Sequence, residues 1–346
     1  MLWRWPQALE SLWMRELSAE AAWEVLRSCA RLPAQGDMPR SFAWRGARLL
    51  PIPSDASDAA DAIVHWDGVA GWRCVDGLSG AIADFLELYL PVCAASAARP
   101  VTVAHLGQSL DGYIATSNGD SQYVSDPQNI VHLHRMRALC DAVVVGGATV
   151  RDDDPQLTTR LATGDNPLRV IIDPKHQLSP AHRVFNDGAA MTLLVTLEGT
   201  SCAQSKRVGF ADHVQVLRVR ADANGNPDLQ ALLRALHSRG CHAVFVEGGG
   251  ITVSRFVDAG LLDRMQIAVA PLFIGRGRAG MRIAGSQSLQ DCLRPSYRLF
   301  RMGADLLFDC DLRTPAEDHR YCQRSERVHD ADAQSASAAP LPQRMA

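Results

Sequence analysis

Short apolar runs alternate with segments of helical pattern from Val101 onward, and this alternation limits the fold more than any other feature of the sequence. The runs are apolar throughout rather than at every second position, which is typical of strands buried on both faces. Strands of this kind, separated by segments of helical pattern, predict a largely parallel sheet covered by helices on both faces. We expect strands at Val101–Leu106, Ala142–Val145, Arg169–Ile172, Met191–Thr196, Val214–Val219, Ala243–Val246 and Gln266–Ala270.

Together with the segments between and after these runs, the pattern predicts a fold of the α/β class. Two apolar segments near the end, Leu299–Phe300 and Asp305–Leu312, predict a hairpin at an antiparallel edge of the sheet. After Thr314 the chain becomes polar and rich in small residues, so we expect a disordered tail at 314–346. Helices are expected near Asp126–Leu139, Asp228–Ser238 and Thr252–Ala259.

The first 96 residues differ in composition from the rest, because all seven tryptophans lie within the first 72 residues. A helical pattern at Ala8–Ala30, a proline-containing, turn-rich middle and an amphipathic stretch at Gly80–Tyr89 lead to a linker at Ala94–Arg99. A length of 346 residues suggests about two domains, each with a core of its own. We predict a smaller Trp-rich domain of unknown role at 1–96 and a larger domain at 97–313. A support, dimerisation or substrate-delivering role stays open for the smaller one.

Charge and hydropathy exclude several classes of partner. The chain has 35 basic and 38 acidic side chains and a formal charge of −3, so it has no field that would attract a nucleic acid. The apolar stretch Ile82–Ala98 is interrupted by Asp84 and Glu87 and is too short to cross a bilayer. The first residues lack a signal-peptide pattern. We therefore expect a cytoplasmic protein without nucleic-acid or membrane partners.

The cysteine pattern and the acidic residues give no indication of a bound metal. Nine cysteines are scattered without CxxC spacing, which argues against a disulfide framework and a structural zinc site. Zinc-dependent base deaminases carry HxE and PCxxC motifs, and neither occurs in this chain. The side chains of Asp152, Asp153 and Asp154 diverge because they are consecutive, so capping and loop roles are favoured over a metal site.

Three glycine-containing turns follow predicted strands, at Ser109–Gly112, Gly146–Val150 and Glu247–Gly250. Open α/β sheets bind ligands outside the carboxyl ends of their strands. The third turn leads directly into a helix, whose N-terminal N–H groups suit a diphosphate. Glycines are also common at such turns for purely structural reasons, and no turn has a Rossmann or Walker fingerprint.

Arg137 at a helix end and Arg160 in the following loop suggest a bidentate clamp for an anion. Because 33 of the 35 basic residues are arginine, each is also open to interpretation as an ordinary surface charge.

Six segments in this order and spacing resemble the reductase domain of bacterial riboflavin biosynthesis, over about residues 100 to 312. Together they are a more specific signal than any one of them. The segments are Leu106–Ala115, Asp141–Val150, Asp153–Arg160, Asn166–Val170, Val246–Gly249 and Ala270–Gly275.

The resemblance implies a dihydrofolate-reductase-like fold, a homodimer and the NADPH-dependent reduction of 5-amino-6-(5-phosphoribosylamino)uracil to its ribityl counterpart. It implies a cofactor site made of Gly107, Thr149, Asp153, Gly249, Gly250, Ile251, Thr252, Val253, Ser254 and Arg255. It implies a substrate site made of Ser121, Tyr123, Arg137, Leu157, Arg160 and Glu247. Ring opening of the ribose needs a proton, so Glu247 and Asp153 are candidate catalytic residues, and His105 in the first strand is the third.

Three positions depart from the usual pattern of this family. His105 stands where lysine is usual, and is expected to titrate near neutrality. Tyr123 stands where tryptophan is usual, and Pro174 replaces a small polar residue, which leaves the contact to the cofactor 2′-phosphate open. An altered substrate is therefore compatible with the sequence. Reduction of dihydrofolate or another substrate on the same fold, or a catalytically silent nucleotide-binding protein, are the alternatives.

Overall fold

A computed structural model describes residues 18–32, 41–45, 48–52, 62–68, 71–76, 78, 80–121, 124–199 and 210–313. The predicted tail at 314–346, Tyr123 and the beginning of the helical pattern at Ala8–Ala30 lie outside these residues.

The N-terminal region forms a layer of two helices and a four-stranded antiparallel sheet, with strand order β2-β1-β3-β4. The described part of its middle contains four short strands that the sequence analysis did not predict. Pro51 lies in β2 opposite Phe42 of β1, and a proline is tolerated there because β2 is an edge strand. The elements are α1 (Ala19–Arg31), β1 (Ser41–Arg45), β2 (Arg48–Ile52), β3 (Ala62–Asp67), β4 (Gly71–Cys74) and α2 (Ala81–Cys93).

The rest of the described chain is built around a nine-stranded sheet of order β10-β9-β8-β7-β11-β5-β12-β15-β14. Strands β10 to β12 in this order are parallel, and β15 and β14 add an antiparallel edge. The elements are β5 (Val101–Ser109), β6 (Tyr113–Thr116), α3 (Pro127–Leu139), β7 (Ala142–Gly146), α4 (Gly147–Asp153), β8 (Leu168–Ile172), α5 (Arg183–Asn186), β9 (Thr192–Leu197), β10 (Val214–Val219), α6 (Leu229–His237), β11 (Ala243–Glu247), α7 (Gly250–Asp258), β12 (Arg264–Ala270), β13 (Gly277–Ala279), the 3-10 helix Leu289–Asp291, β14 (Ser296–Met302) and β15 (Asp305–Asp311).

The predicted fold class is confirmed, including the parallel sheet and the closing hairpin. Capping explains why the helix boundaries followed from the sequence. The Asp126 side chain accepts a hydrogen bond from the Gln128 N–H, and Asp228 accepts one from Ala231, which satisfies otherwise unpaired N–H groups. Helix α7 begins two residues before the prediction, because Gly249 adopts φ 67° and serves as its N-cap.

Five short elements of the larger region were not predicted: α4, α5, the 3-10 helix Leu289–Asp291 and the two strands of the ribbon formed by β6 and β13. Each has fewer residues than the span over which apolar periodicity can be recognised. The ribbon lies over the carboxyl ends of the central strands, and its backbone approaches the beginning of α7, where the carbonyl oxygens of Ala279 and Gly280 lie beside Gly250.

Alternating residues of the central strands feed two hydrophobic clusters, one on each face of the large sheet. In β5, Val101 and Val103 pack on the face that carries α3, whereas Ala104 and Leu106 pack on the face that carries α6 and α7. The first cluster continues without a break into the N-terminal layer, through side chains such as Trp23. Among the described residues, the main core of the N-terminal layer is therefore shared with the large sheet, while Ala43, Ile52 and Ala62 form a small cluster of their own. The division into domains at 1–96 and 97–313 stays a prediction.

The predicted linker at Ala94–Arg99 is a short ordered turn. Ser96 and Arg99 exchange two backbone hydrogen bonds of 3.0 Å each, and Ala94 is buried. The connection therefore holds the N-terminal layer close to the sheet. No helix within the described ranges has both the length and the apolar composition needed to cross a membrane.

Candidate active site

The three glycine-containing turns lie next to one another. They follow β5, β7 and β11, and β11 lies between the other two in the sheet. Because the three strands are parallel, their carboxyl ends lie along the same edge. This edge is the candidate active site.

The turn between β11 and α7 is a close-fitting backbone cradle. Gly248 and Gly249 have φ values of 65° and 67°, a region that favours glycine. A Cβ on Gly249 would lie 2.9 Å from the Thr149 hydroxyl, and a Cβ on Gly250 would overlap the carbonyl oxygen of Gly280. The absence of side chains therefore allows the backbone here to approach both Thr149 and the ribbon.

The N-terminus of α7 is suited to a negatively charged group. No side chain caps it, and the first N–H groups of any helix have no partner within the helix. Partial positive charge at this end attracts phosphate groups. Thr252 in the first turn lies against the second turn, because a Cβ on Gly146 would lie 2.5 Å from its hydroxyl.

The structure divides the other expected cofactor residues into two groups. Ile251 is 64% exposed at the start of α7, while Val253 belongs to the core. The Ser254 hydroxyl accepts a 2.7 Å hydrogen bond from the Arg282 N–H. Arg255 donates to the Pro227 carbonyl and pairs with Asp222. Only the beginning of α7 thus lines the cradle, and the side chains of these last three residues support it.

A buried ion pair joins α3 to the end of β11. Arg137 donates through Nε to Glu247 Oε2 at 2.7 Å and through Nη2 to Oε1. Its Nη1 donates to the Thr158 carbonyl at 3.0 Å. The side chains of both charged residues are about nine-tenths buried. This fork geometry fixes the carboxylate of the residue that immediately precedes the glycine cradle.

Arg160 lies beside this ion pair. Its Nη1 donates to the Thr158 hydroxyl at 3.2 Å, so Thr158 contacts both arginines. Partial burial lowers the pKa of Arg160, and the neighbouring positive charge of Arg137 lowers it further. The two guanidinium groups therefore repel each other, and an anion bound between them would relieve this repulsion.

The loop that carries Arg160 has an unusual backbone. Asp154 and Leu157 have φ values of 40° and 55°, and Leu157 is buried. The buried Arg169 donates to the Gln156 carbonyl at 3.2 Å and pairs with Asp187. The surrounding contacts hold this strained backbone in place, which is typical of functional sites.

Asp153 lies at the end of α4, next to Ser121. Burial raises the pKa of Asp153 and the charge of Asp152 raises it further, while Arg278 and a hydrogen bond with Ser121 oppose the rise. Arg278 donates to Asp152 at 2.6 Å. The structure thus brings together Ser121 and Asp153, which the resemblance placed in the substrate and cofactor sites.

His105 differs from the expectation. It is buried in β5, directly opposite Glu247 of β11. Burial lowers its pKa to about 4, although a hydrogen bond with Asn129 and the charge of Glu247 act in the opposite direction. The expectation that it titrates near neutrality is therefore wrong, because the site excludes the water that a charged imidazole needs. The ring Nε2 lies 3.1 Å from Asn129 Oδ1.

Sequence reasoning missed several residues at or behind this site. Burial lowers the pKa of His134 to about 4, and the charges of Arg137 and Arg160 lower it further. This residue lies one helical turn before Arg137. The i,i+3 spacing of His134 and Arg137 on a predicted helix was the available signal. The sequence carried no signal for the side-chain contacts of Asn129, Thr158 and Gln266, because these contacts depend on packing between distant segments.

The chain is similar to known reductases. The model of the RibD C-terminal domain family matches residues 100–303. The 2,5-diamino-6-ribosylamino-4(3H)-pyrimidinone 5′-phosphate reductase of Methanothermobacter thermautotrophicus is 32% identical over 221 residues, which cover 61% of this chain and 97% of the relative. The riboflavin biosynthesis protein RibD of Bacillus amyloliquefaciens is 32% identical over 211 residues, which cover 60% of this chain and 56% of the relative.

A solved structure is also similar. The diaminohydroxyphosphoribosylaminopyrimidine deaminase/5-amino-6-(5-phosphoribosylamino)uracil reductase of Thermotoga maritima is 28% identical, with a TM-score of 0.51. The match covers 66% of this chain and 61% of that one. The chain thus spans nearly all of the archaeal reductase but little more than half of the RibD proteins.

Proposed function

Because this chain belongs to the RibD C-terminal domain family, we propose that it is a nicotinamide-dependent reductase of a phosphoribosylaminopyrimidine. The reaction converts the ribosyl group of the substrate to ribityl. One observation carries the proposal: two arginines, a fixed carboxylate and a glycine cradle meet at the carboxyl edge of the sheet. The archaeal relative, covered over almost its full length, is named for this reaction.

The cradle supports the binding of a dinucleotide. An uncapped helix N-terminus and glycines that leave no room for a Cβ fit a diphosphate. We assign Gly249, Gly250, Ile251 and Thr252 to the diphosphate, and Thr149 to its neighbourhood. When bound, the cofactor supplies the hydride. We propose NADPH rather than NADH, although Pro174 replaces the small polar residue usual in the family.

The arginines support a phosphorylated substrate. Most of the Arg137 guanidinium is engaged by Glu247 and the Thr158 carbonyl, so its main task is to orient the carboxylate. Arg160 is more exposed, and we assign it to the substrate phosphate together with Ser121. A phosphate offers three acceptor oxygens to this pair, and we take this as favouring a phosphorylated substrate over dihydrofolate.

Glu247 and Asp153 are proposed to handle protons. Opening of the ribose ring needs a proton donor, and a carboxyl group with a raised pKa is suited to that task. Asp153 has such a pKa. Glu247, held by Arg137, is proposed to orient the sugar or to accept the proton. His105 is neutral and is proposed to act as a hydrogen-bond donor rather than as a cation.

The proposal is tested by following the oxidation of NADPH and of NADH by the full chain. The substrates are the diamino-pyrimidinone ribosyl phosphate, its deaminated uracil counterpart and dihydrofolate. Turnover of either phosphoribosyl compound, but not of dihydrofolate, is expected. Turnover of dihydrofolate alone would overturn the assignment. Tight binding of NADPH without any turnover would favour a silent nucleotide-binding protein.

We further propose that the protein is a cytoplasmic homodimer. The seven cysteines among the described residues are all free, which suits a reducing compartment. Strand β14 forms one edge of the large sheet and exposes Tyr297 and Leu299, a surface suited to a second copy. Light scattering on the purified chain checks the oligomeric state.

A further inference from the structure

Membership of the reductase family does not explain the role of the N-terminal layer. Helix α3, which carries Arg137, lies between this layer and the large sheet. Arg135 of α3 stacks on the rings of Trp23 and Phe85, at 5.9 and 4.7 Å from their centroids. The hydrophobic core on this face is continuous from the layer to β5 and β11.

A buried chain of polar groups connects the layer to the site. The Tyr89 hydroxyl of α2 lies 2.9 Å from His132 Nδ1, and His132 Nε2 lies 2.9 Å from Gln266 Oε1. The Gln266 amide nitrogen faces Asp309 at 3.4 Å. All four side chains are buried, where an unpaired polar group is costly.

The direction of each hydrogen bond in this series of polar groups follows from Asp309, the group at its end. The Asp309 carboxylate only accepts, so the amide nitrogen of Gln266 faces it and the amide oxygen faces His132. His132 therefore donates through Nε2 and accepts at Nδ1. Burial raises the pKa of Tyr89 to about 12, which keeps its hydroxyl protonated. Tyr89 is thus the donor to His132 Nδ1, the acceptor nitrogen of the tautomer that Gln266 sets.

His132 lies directly behind His105. Their ring centroids are 5.5 Å apart, and Gln266 is the direct neighbour of His105 across β12. On its other side, His105 is opposite Glu247. The row formed by Glu247, His105 and Gln266 therefore leads from the candidate active site to the groups that Tyr89 controls.

We infer that Tyr89 is a positioning residue and that the N-terminal layer is a permanent part of the reductase site. Its hydroxyl holds the His132 ring in one orientation, and the packing of His132 and Gln266 against His105 keeps His105 beside Glu247. The layer acts through the hydrogen bond between Tyr89 and His132 and not through a contact of its own with the substrate. The kinetic arm of the inference rests on the proposed function, whereas its spectroscopic arm does not.

The test compares Tyr89→Phe with Phe85→Leu in the full chain. Tyr89→Phe removes only the hydroxyl, whereas Phe85→Leu loosens the packing beside Tyr89 and keeps every hydrogen-bonding group of the polar chain. In Tyr89→Phe, kcat is expected to fall about three- to tenfold, because a small misplacement at a reacting site is costly. The KM for the cofactor is expected to stay unchanged, since the hydrogen bonds of Tyr89 and His132 lead to Gln266 and not to the cradle. Phe85→Leu is expected to lower the unfolding temperature but to keep kcat.

Nitrogen-15 NMR of histidine-labelled protein provides the second readout. Tyr89→Phe is expected to change the ring signals of both His132 and His105, and Phe85→Leu to leave both as they are. Unchanged signals of His105 would overturn the inference, whether or not the chain turns over any substrate. Equal losses of kcat in the two variants would also overturn it, because they indicate packing alone. Absence of turnover in the unmodified chain would overturn the proposed function, and the NMR comparison would still decide the role of Tyr89.

Discussion

At the scale of single residues, the site is a set of charges that constrain one another. Arg137 is held by Glu247 and Thr158, whereas Arg160 keeps donors for a ligand. The two arginines therefore have different tasks, although the sequence suggests a symmetrical clamp.

Substitution of Arg160 tests the phosphate site. Arg160→Ala is expected to raise the KM for the phosphorylated substrate about tenfold to a hundredfold, because it removes a hydrogen bond to a charged group. The KM for NADPH is expected to stay the same. Arg220→Ala is the matched control, since Arg220 is 84% exposed and pairs weakly with Glu198. A normal substrate KM for Arg160→Ala would remove the residue from the site.

Substitution of Glu247 tests the proton role. Glu247→Gln keeps the size of the side chain and an acceptor for Arg137, but the amide does not take up a proton. We expect kcat to fall by about two orders of magnitude or more, as measured by NADPH oxidation at saturating substrate. Full turnover in this variant would show that Glu247 orients the substrate only.

At the scale of elements, the turn before α7 tests the cradle. Gly250→Ala would push the carbonyl oxygen of Gly280 away, and should therefore weaken cofactor binding at least about tenfold, a loss on the order of 1.4 kcal/mol. Calorimetric titration with NADPH measures this loss. Gly285→Ala is the control, because a Cβ there meets nothing within 4 Å. Equal affinity in the two variants would contradict the assignment of the cradle.

The buried histidines behind the site predict a dependence of stability on pH. Burial lowers the pKa of His105 to about 4 and that of His132 to about 3. Both take up a proton near pH 6.5 in the unfolded chain, so acid favours unfolding.

The contribution of the neutral His105 and His132 to the free energy of unfolding is therefore complete above about pH 6.5. It is lost as the pH falls towards about 4. The expected slope is at most about 3 kcal/mol per pH unit for the two groups. Urea unfolding at several pH values measures it. The raised pKa of Asp153 changes the stability with pH in the opposite direction. A free energy of unfolding that stays constant between about pH 6.5 and about pH 5 would contradict the prediction.

At the scale of the whole molecule, the N-terminal layer and the large sheet share one core. Removal of residues 1–96 would expose Val101, Val103 and the adjacent face of α3. We expect the truncated chain to be poorly soluble and to melt well below the full chain. Expression of 97–313, with unfolding followed by circular dichroism, checks this. A soluble truncated chain with full stability would instead support two independent domains, as the tryptophan distribution suggests.

Much of the fold was predictable because its signals are local. Apolar runs identified the seven parallel strands, and Asp126 and Asp228 marked helix starts through their own side-chain hydrogen bonds. The four N-terminal strands were missed because prolines such as Pro51 are typical of turns. Only the position of β2 at an edge makes Pro51 acceptable there.

The candidate site was predictable in membership but not in detail. Arg137, Arg160 and Glu247 were expected at one site, and the structure places them together. The pairing of Arg137 with Glu247 was not expected, because it joins residues 110 positions apart in the chain. The same applies to Tyr89 and His132.

The sequence by itself determined the class of fold, the strand edge that carries the site and the residue types available there. These follow from periodicity, from glycine at turns and from short-range capping, all of which act within a few residues. The tertiary structure alone decided that His105 is neutral, that Arg137 is committed to Glu247 and that the N-terminal layer shares the core. Burial and the partners of a charged group depend on contacts between distant segments, and these contacts exist only after the chain has folded.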